Sequence, residues 1–330
     1  MSNKIRWGII STAGIAEKSF IPALRETSRG ELVAVSSRDR NKADAFAKKH
    51  DIPTVYDDYT SLLESNEIDA VYNPLPNTMH AEWTIKAAQH GKHIFCEKPL
   101  AMSAEEIMAM SDSCEKANVK LIEAFVFLFH NQTLKLRQIL DSGVIGDITA
   151  THAAMNFHIQ RPSDNIRLNK ELGGGGLLDG GVYPITFTRF VFGEEPITVQ
   201  ASCLIDPEYG VDTRTTAILE FSHGRFATIQ MSMDGPGGQN AAIYGEKGFI
   251  NIPLPYHPRN GAHLSVKTSD GEEQFSFDDG RHPFTQAIEH FHEVLLDGKE
   301  LAVPATNALG TLAIVEAIFE SAKTGQRVTL

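Results

Sequence analysis

Along the first 125 residues, short apolar runs alternate with stretches of helical periodicity. "IRWGII" (5–10) precedes a helical pattern from Ile15 to about Glu26, "ELVAVSS" (31–37) precedes "DRNKADAFAKKH", and "IDAVYNP" (68–74) precedes "NTMHAEWTIKAAQHG". "KHIFCEK" (92–98) leads into "SAEEIMAMSDSCEKAN", where Ser103 and Glu106 fit a capping box, and "VKLIEAF" (119–125) closes the series. Strands alternating with helices predict βαβ units and a twisted parallel sheet. Right-handed crossovers put the strand C-termini on one edge of such a sheet, where ligands bind.

After about residue 146 the pattern changes. "ITVQASCLI" (197–205), "RTTAILEF" (214–221), "RFATIQMSM" (225–233), "NAAIYGE" (240–246) and "GFINI" (248–252) follow at hairpin-like spacing. "SHG" and "GEKG" supply turn residues between some of them. This predicts a mostly antiparallel sheet, which can leave one face open. Helices are expected over about 283–297 and 305–323. The chain therefore reads as α/β: a doubly wound dinucleotide domain over 1–125, then an α+β domain for substrate and self-association over 126–330.

Composition narrows the function. The 330 residues carry 30 Lys and Arg against 42 Asp and Glu, a net charge of −12. That balance opposes binding to a nucleic-acid backbone or an anionic membrane. No signal-peptide pattern, no apolar stretch of about 18 residues and no low-complexity block is found, so a cytoplasmic protein is expected. Cys96, Cys114 and Cys203 lie far apart, which argues against a disulfide or zinc framework. "EHFHE" (289–293) lacks the H-E-x-x-H arrangement, and no metal is expected.

The first strand ends in Ser11-Thr12-Ala13-Gly14-Ile15-Ala16. This is not a G-x-G-x-x-G fingerprint, yet small residues stand at all three glycine positions, as Ser11, Ala13 and Ala16. Gly14 adds backbone freedom, and the following helix N-terminus would attract a pyrophosphate. A plain βα turn explains the stretch equally well. The second strand ends in Ser36-Ser37-Arg38-Asp39-Arg40-Asn41-Lys42: no acid sits at Ser37 for an NAD ribose, and Arg38 follows with Arg40 and Lys42 nearby. A guanidinium and a hydroxyl suit a 2′-phosphate, so NADP is favoured over NAD.

Two further stretches carry chemistry. An apolar strand stops at Glu97-Lys98-Pro99, which leaves an ammonium in a restrained backbone. In "LGGGGLLDGGVYPI" (172–185), Gly173 to Gly176 allow a ligand to approach the backbone, or else form a hinge. Asp179 and Tyr183, four apart, share a helix face if a helix begins near Leu178.

Taken with "NPLPNTMH" (73–80), "CEKPLA" (96–101) and "EAFVFLFHNQ" (123–132), these motifs resemble the Gfo/Idh/MocA oxidoreductases. The branch they are most similar to is that of dimeric dihydrodiol dehydrogenase and NADP-dependent D-xylose dehydrogenase. The resemblance implies an N-terminal Rossmann domain and a C-terminal domain with an open-faced sheet. By position it implies Lys98, Asp179 and Tyr183 as the catalytic groups. It also implies that Asn73, Leu75, Asn77, His80 and Glu97 face the cofactor with Lys98. A free tyrosine titrates at about 10, too high for a base at neutrality, and a nearby cation favours the phenolate. Lys98 would then tune Tyr183, unless it binds the substrate oxygen or moves the proton itself. His130 stands as a pocket residue or a structural histidine, and Arg167 in "RPSDNIRLN" (161–169) as a contact to cofactor or substrate. Many relatives have arginine and proline where this chain has Leu128 and Asn131, so a relative's substrate is not carried over. The expected function is hydride transfer between NADP and a hydroxyl or carbonyl carbon of a sugar, polyol or cyclic diol, in a homodimer or higher homo-oligomer. A non-catalytic dinucleotide-binding regulator and an NAD-dependent glycosidase are the alternatives.

Overall fold

The computed structural model describes residues 4–259, 261–277 and 279–330. The first elements are β1 (Ile5–Ile10), a π-helical turn (Ala16–Phe20) running into α1 (Ile21–Glu26), β2 (Gly30–Ser36), α2 (Arg40–Lys49), β3 (Thr54–Tyr56) and α3 (Tyr59–Glu64). They are followed by β4 (Ala70–Asn73), α4 (His80–Gln89), β5 (His93–Cys96), α5 (Ala104–Lys116) and β6 (Leu121–Glu123). Next come α6 (Asn131–Asp141), β7 (Ile148–His158), a second π-helical turn (Leu177–Gly181) continuing as α7 (Val182–Phe192), β8 (Thr198–Ile205) and β9 (Asp212–Phe221). The chain ends with β10 (Arg225–Ser232), β11 (Asp234–Gly245), β12 (Gly248–Ile252), β13 (His263–Thr268), β14 (Gly271–Ser276), α8 (Phe284–Asp297), α9 (Ala308–Thr324) and β15 (Val328–Thr329).

Two compact units result: Met1–Phe129 with Arg281–Ala308, and His130–Gly280 with Leu309–Leu330. The division falls at Phe129/His130 rather than at the expected 125/126, and α8 belongs with the first unit rather than the second. The reason is packing. Phe284, Ala287, Ile288 and Phe291 of α8 complete a core built from Trp7, Phe20, Tyr72 and Phe95. Phe20 and Tyr72 stack there with ring centroids 4.0 Å apart.

In the first unit six parallel strands run in the order β3-β2-β1-β4-β5-β6. Their apolar runs are buried on both faces, as a parallel sheet requires. The order reverses between β1 and β4, and the crevice outside the carboxyl ends at such a switch point is where ligands bind. Helix starts follow the local sequence. Asp39 caps α2 through the Lys42 amide, and Asp58 with Ser61 forms a capping box on α3. At α5, Ser103 accepts the Glu106 amide, but the Glu106 carboxylate takes the amide of Met102 rather than closing the expected box.

The second unit's sheet has nine strands in the order β14-β13-β12-β11-β7-β10-β9-β8-β15. It is antiparallel except for the β7–β10 pair. Along β9 buried and exposed positions alternate, so one face is packed and the other open. The open face carries Ile218, Phe226 and Tyr244, each more than 40% exposed. Cross-strand register sets Phe226, Ala150, Tyr244 and Phe249 side by side in one row.

Candidate active site

At the end of β1 the chain turns sharply. Ser11 has a φ of 101°, a left-handed value unusual for a residue with a side chain. Its amide donates to the Ser36 carbonyl at the end of β2, and its hydroxyl accepts from the Ala13 amide at 3.3 Å. Strain of this kind, about 1–3 kcal/mol, concentrates where a backbone is shaped for a ligand. A Cβ at Gly14 would meet nothing within 4 Å, and Ile15 is exposed. Gly14 and Ile15, just ahead of the π-helical turn, already have helical backbone, so their amides open the helix and lie before any intrahelical acceptor. These features fit a dinucleotide phosphate: an open approach, unspent N–H donors and the positive end of a helix. Thr12, Ala13 and Ala16 complete the turn, with Ala16 buried beneath it.

Beside it, Ser37 is buried and its hydroxyl accepts from the Asp39 amide at 3.3 Å. Arg38 is exposed and bonded to Tyr59, whose phenol is raised by burial first, with Arg38 drawing it back down. Arg40 is taken up by Asp44 at 2.9 Å and by Asp57. Lys42 is exposed on α2.

The Glu97-Lys98-Pro99 turn is held from several sides within the first unit. Asn73, Cys96 and Glu123 lie in one register row at the ends of β4, β5 and β6. The Glu97 carboxylate accepts from the Tyr72 hydroxyl at 2.6 Å and from the Lys98 amide at 3.3 Å. Glu123 accepts the Leu100 amide at 2.8 Å. His80 is fully buried and spans the turn, with Nδ1 2.8 Å from the Pro99 carbonyl and Nε2 2.8 Å from the Leu75 carbonyl. Burial draws its pKa down, against the two carbonyls, which favour the protonated ring.

The expected cofactor-facing residues thus divide into two groups. Asn73, His80 and Glu97 are buried and commit polar atoms to the protein: Asn73 accepts the Leu75 amide and donates to the His80 carbonyl. Leu75 is also buried. Asn77 and Lys98 are partly exposed. Tyr72 and Glu123, which position this turn, had no distinguishing signal in the sequence; both read as strand residues.

In the second unit, the helix carrying Asp179 and Tyr183 opens as the π-helical turn and continues as α7. The start therefore lies at Leu177, one residue before the expected position. Asp179 accepts from Arg167 Nε at 2.6 Å, which joins the helix to the loop 161–176. Tyr183 is buried, with the Tyr256 ring 5.7 Å away and the His257 ring 4.8 Å away. The glycine run has an internal explanation. A Cβ on Gly174 would lie 2.6 Å from the Arg167 carbonyl, on Gly175 2.4 Å from Asp212 Oδ1, and on Gly176 1.6 Å from Met231 Cε. At these three positions protein atoms occupy the space that a side chain would need, which accounts for glycine there. His130 caps α6, its Nδ1 accepting the Gln132 amide at 3.1 Å, which is the structural reading of that residue.

Among the described residues no cluster of His, Cys, Asp or Glu could hold a metal ion. No helix among them is long and apolar enough to cross a membrane.

Comparison with known proteins places this arrangement. Residues 5–125 match the oxidoreductase family with an NAD-binding Rossmann fold, and residues 133–251 match the GFO/IDH/MocA C-terminal domain. The chain belongs to the Gfo/Idh/MocA family. It is 35% identical to an NADP(+)-dependent D-xylose 1-dehydrogenase of Haloferax volcanii, over 98% of this chain and 99% of that protein. It is 36% identical to a trans-1,2-dihydrobenzene-1,2-diol dehydrogenase of Xenopus tropicalis, over 75% of each. A 3-ketoreductase of Actinomadura kijaniata, solved with NADP and TDP-benzene, superposes with a TM-score of 0.90 at 29% identity, covering 97% of this chain and 98% of that one. As a Gfo/Idh/MocA member the chain is an NAD(P)-dependent oxidoreductase, and the two-sheet α/β architecture is that of its structural relatives.

Proposed function

We propose that this protein is an NADP-dependent dehydrogenase or reductase acting on a hydroxyl or carbonyl carbon of a sugar, polyol or cyclic diol. The observation that carries the reading is the pairing of an open, strained Ser11–Ala16 turn with Ser37 and Arg38 at the neighbouring strand end, where Ser37 takes the place of an acid and the nearby Asp39 caps α2. The similarity to NADP-dependent and diol-oxidising relatives supports it. A bound nicotinamide supplies or accepts the hydride. The turn Ser11–Ala16 holds the pyrophosphate on its amides, while Ser37 and Arg38 with Lys42 hold the 2′-phosphate. Asn77 and Leu75 border the cofactor beyond the end of β4. The proton chemistry is assigned to Lys98, Asp179 and Tyr183: Tyr183 would give the proton to or take it from the substrate oxygen, Lys98 would supply the cation this chemistry needs, and Asp179 with Arg167 would orient the substrate. The open sheet face with its row of Phe226, Tyr244 and Phe249 is proposed as the surface of a homodimer.

The test is kinetic. NADPH is expected to bind at least about tenfold more tightly than NADH, a difference of about 1.4 kcal/mol. Arg38→Ala abolishes that preference. Lys98→Ala and Tyr183→Phe each lower kcat by roughly 10²–10⁴-fold while NADPH affinity stays near that of the parent. Full activity in either variant, or equal affinity for the two cofactors in the parent protein, overturns the reading.

A further inference from the structure

Asp212 opens β9 with a carboxylate that is only 3% exposed. Its Oδ2 accepts the Leu177 amide at 2.7 Å and the Thr215 hydroxyl at 3.2 Å. Its Oδ1 occupies the space beside Gly175, whose φ of +120° suits glycine and leaves no room for a side chain. The Gly176 amide acts on the same carboxylate. Asp212 thus sits at the N-terminus of the helix that carries Asp179 and Tyr183, two and six residues beyond Leu177. A carboxylate there accepts the first N–H groups and complements the positive helix end.

We propose that Asp212 is a positioning residue for the reaction: held on the Leu177 amide, it sets where Asp179 and Tyr183 stand. The assignment rests on the catalytic roles proposed above. A second fact sharpens it. Burial raises the Asp212 carboxyl to about 6, against the pull of its hydrogen bonds. The anchor therefore changes charge close to the working range of an enzyme. Among the described residues, the groups that act on it come from three elements. β8 contributes the Cys203 thiol, which shares the Thr215 hydroxyl, and β10 contributes the uncharged Met231. The helix start contributes the Leu177 and Gly176 amides, and Asp179 further along is paired with Arg167 of the loop.

Asp212→Asn keeps the shape but removes the charge and its titration. In the full chain assayed with NADPH, kcat at pH 8 should fall roughly fivefold to twentyfold, as expected when a charged acceptor becomes a neutral one. NADPH affinity should stay within about twofold of the parent value, because the charge removed lies outside the proposed cofactor residues. The acid limb of the kcat profile near pH 6 should disappear, and the melting temperature at pH 8 should not drop. Thr215→Val, which removes one donor to the same carboxylate, should act in the same direction more weakly. It decides the matter if the first variant does not fold. Amide exchange of the segment 175–183, followed by mass spectrometry, gives a readout free of activity. Corrected for intrinsic rates, protection in the parent should rise as pH drops from about 6 toward 4, because the folded form binds the proton more tightly, and this rise should be absent from Asp212→Asn. A variant with parental kcat and an unchanged acid limb overturns the proposal. So does a lowered melting temperature with parental turnover, which is the signature of a purely structural carboxylate. If Tyr183→Phe keeps full turnover, the catalytic reading fails, whereas the exchange result still tells whether Asp212 anchors the helix.

Discussion

The two units hold their candidate catalytic groups by different means. Lys98 leaves a strand end whose backbone is fixed by His80, Glu97, Glu123 and Tyr72, so its position is shared among many hydrogen bonds. The helix of Asp179 and Tyr183 is instead set by close glycine packing and one buried carboxylate. The contrast teaches that a strand end inside a parallel sheet inherits rigidity from its neighbours. A helix start beside an open loop must have its anchor built into it.

The comparison can be broken most severely at His80. Replacing it with alanine removes the ring N–H that serves one of the buried Leu75 and Pro99 carbonyls and opens a cavity beside both. About 2–5 kcal/mol of stability should be lost, measured by urea unfolding, with turnover falling as the Lys98 turn loosens. A loss below about 1 kcal/mol would mean that the other bonds suffice.

Acid separates the units next. In the first, His292 accepts the indole N–H of Trp7 at 3.0 Å and is pulled down to about 4, chiefly by burial and then by Arg29. A base with a depressed pKa stabilises the fold fully above about 6.5 and loses that contribution as pH falls toward 4, roughly 3 kcal/mol. Asp212 has the opposite sign. Its carboxyl is raised to about 6, so the folded form binds the proton more tightly and stability drops as pH rises from about 4 to 6, again by roughly 3 kcal/mol. His292→Gln should therefore flatten the rise of stability with pH across that window, and Asp212→Asn should steepen it. Denaturant midpoints from pH 4 to 7 check both; shifts of the same sign would refute the pairing.

The smallest expected effect falls on the glycine run. Gly175→Ala forces a side chain into a left-handed backbone and against Asp212, at about 1–3 kcal/mol, visible as a lowered melting temperature. An unchanged melting temperature would show that this loop yields, and would weaken the idea of a built-in anchor.

Much of the first unit was legible beforehand because its apolar runs are long and its helices carry caps, as at Asp39 and Ser103. β3 and α3 were not foreseen: "TVY" is three residues long, and "YTSLLE" offers hardly more than one helical turn. In the second unit β7 escaped notice although it lies near the middle of its sheet, because "ITATHAAMNFH" is rich in small and polar residues. β13 and β14 escaped as well, the latter being a polar edge strand.

By itself, the sequence determined the alternation of strand and helix, the family, and the residue types that suit hydride and proton transfer, since each is written in local periodicity and short motifs. The tertiary structure alone decided that α8 belongs to the first unit, that His80 and Asn73 serve as internal fasteners, and that Gly174, Gly175 and Gly176 yield to Arg167, Asp212 and Met231. These outcomes depend on which atoms meet across long stretches of chain. No local pattern encodes such meetings, because burial and hydrogen-bond pairing arise only when distant segments compete for the same space.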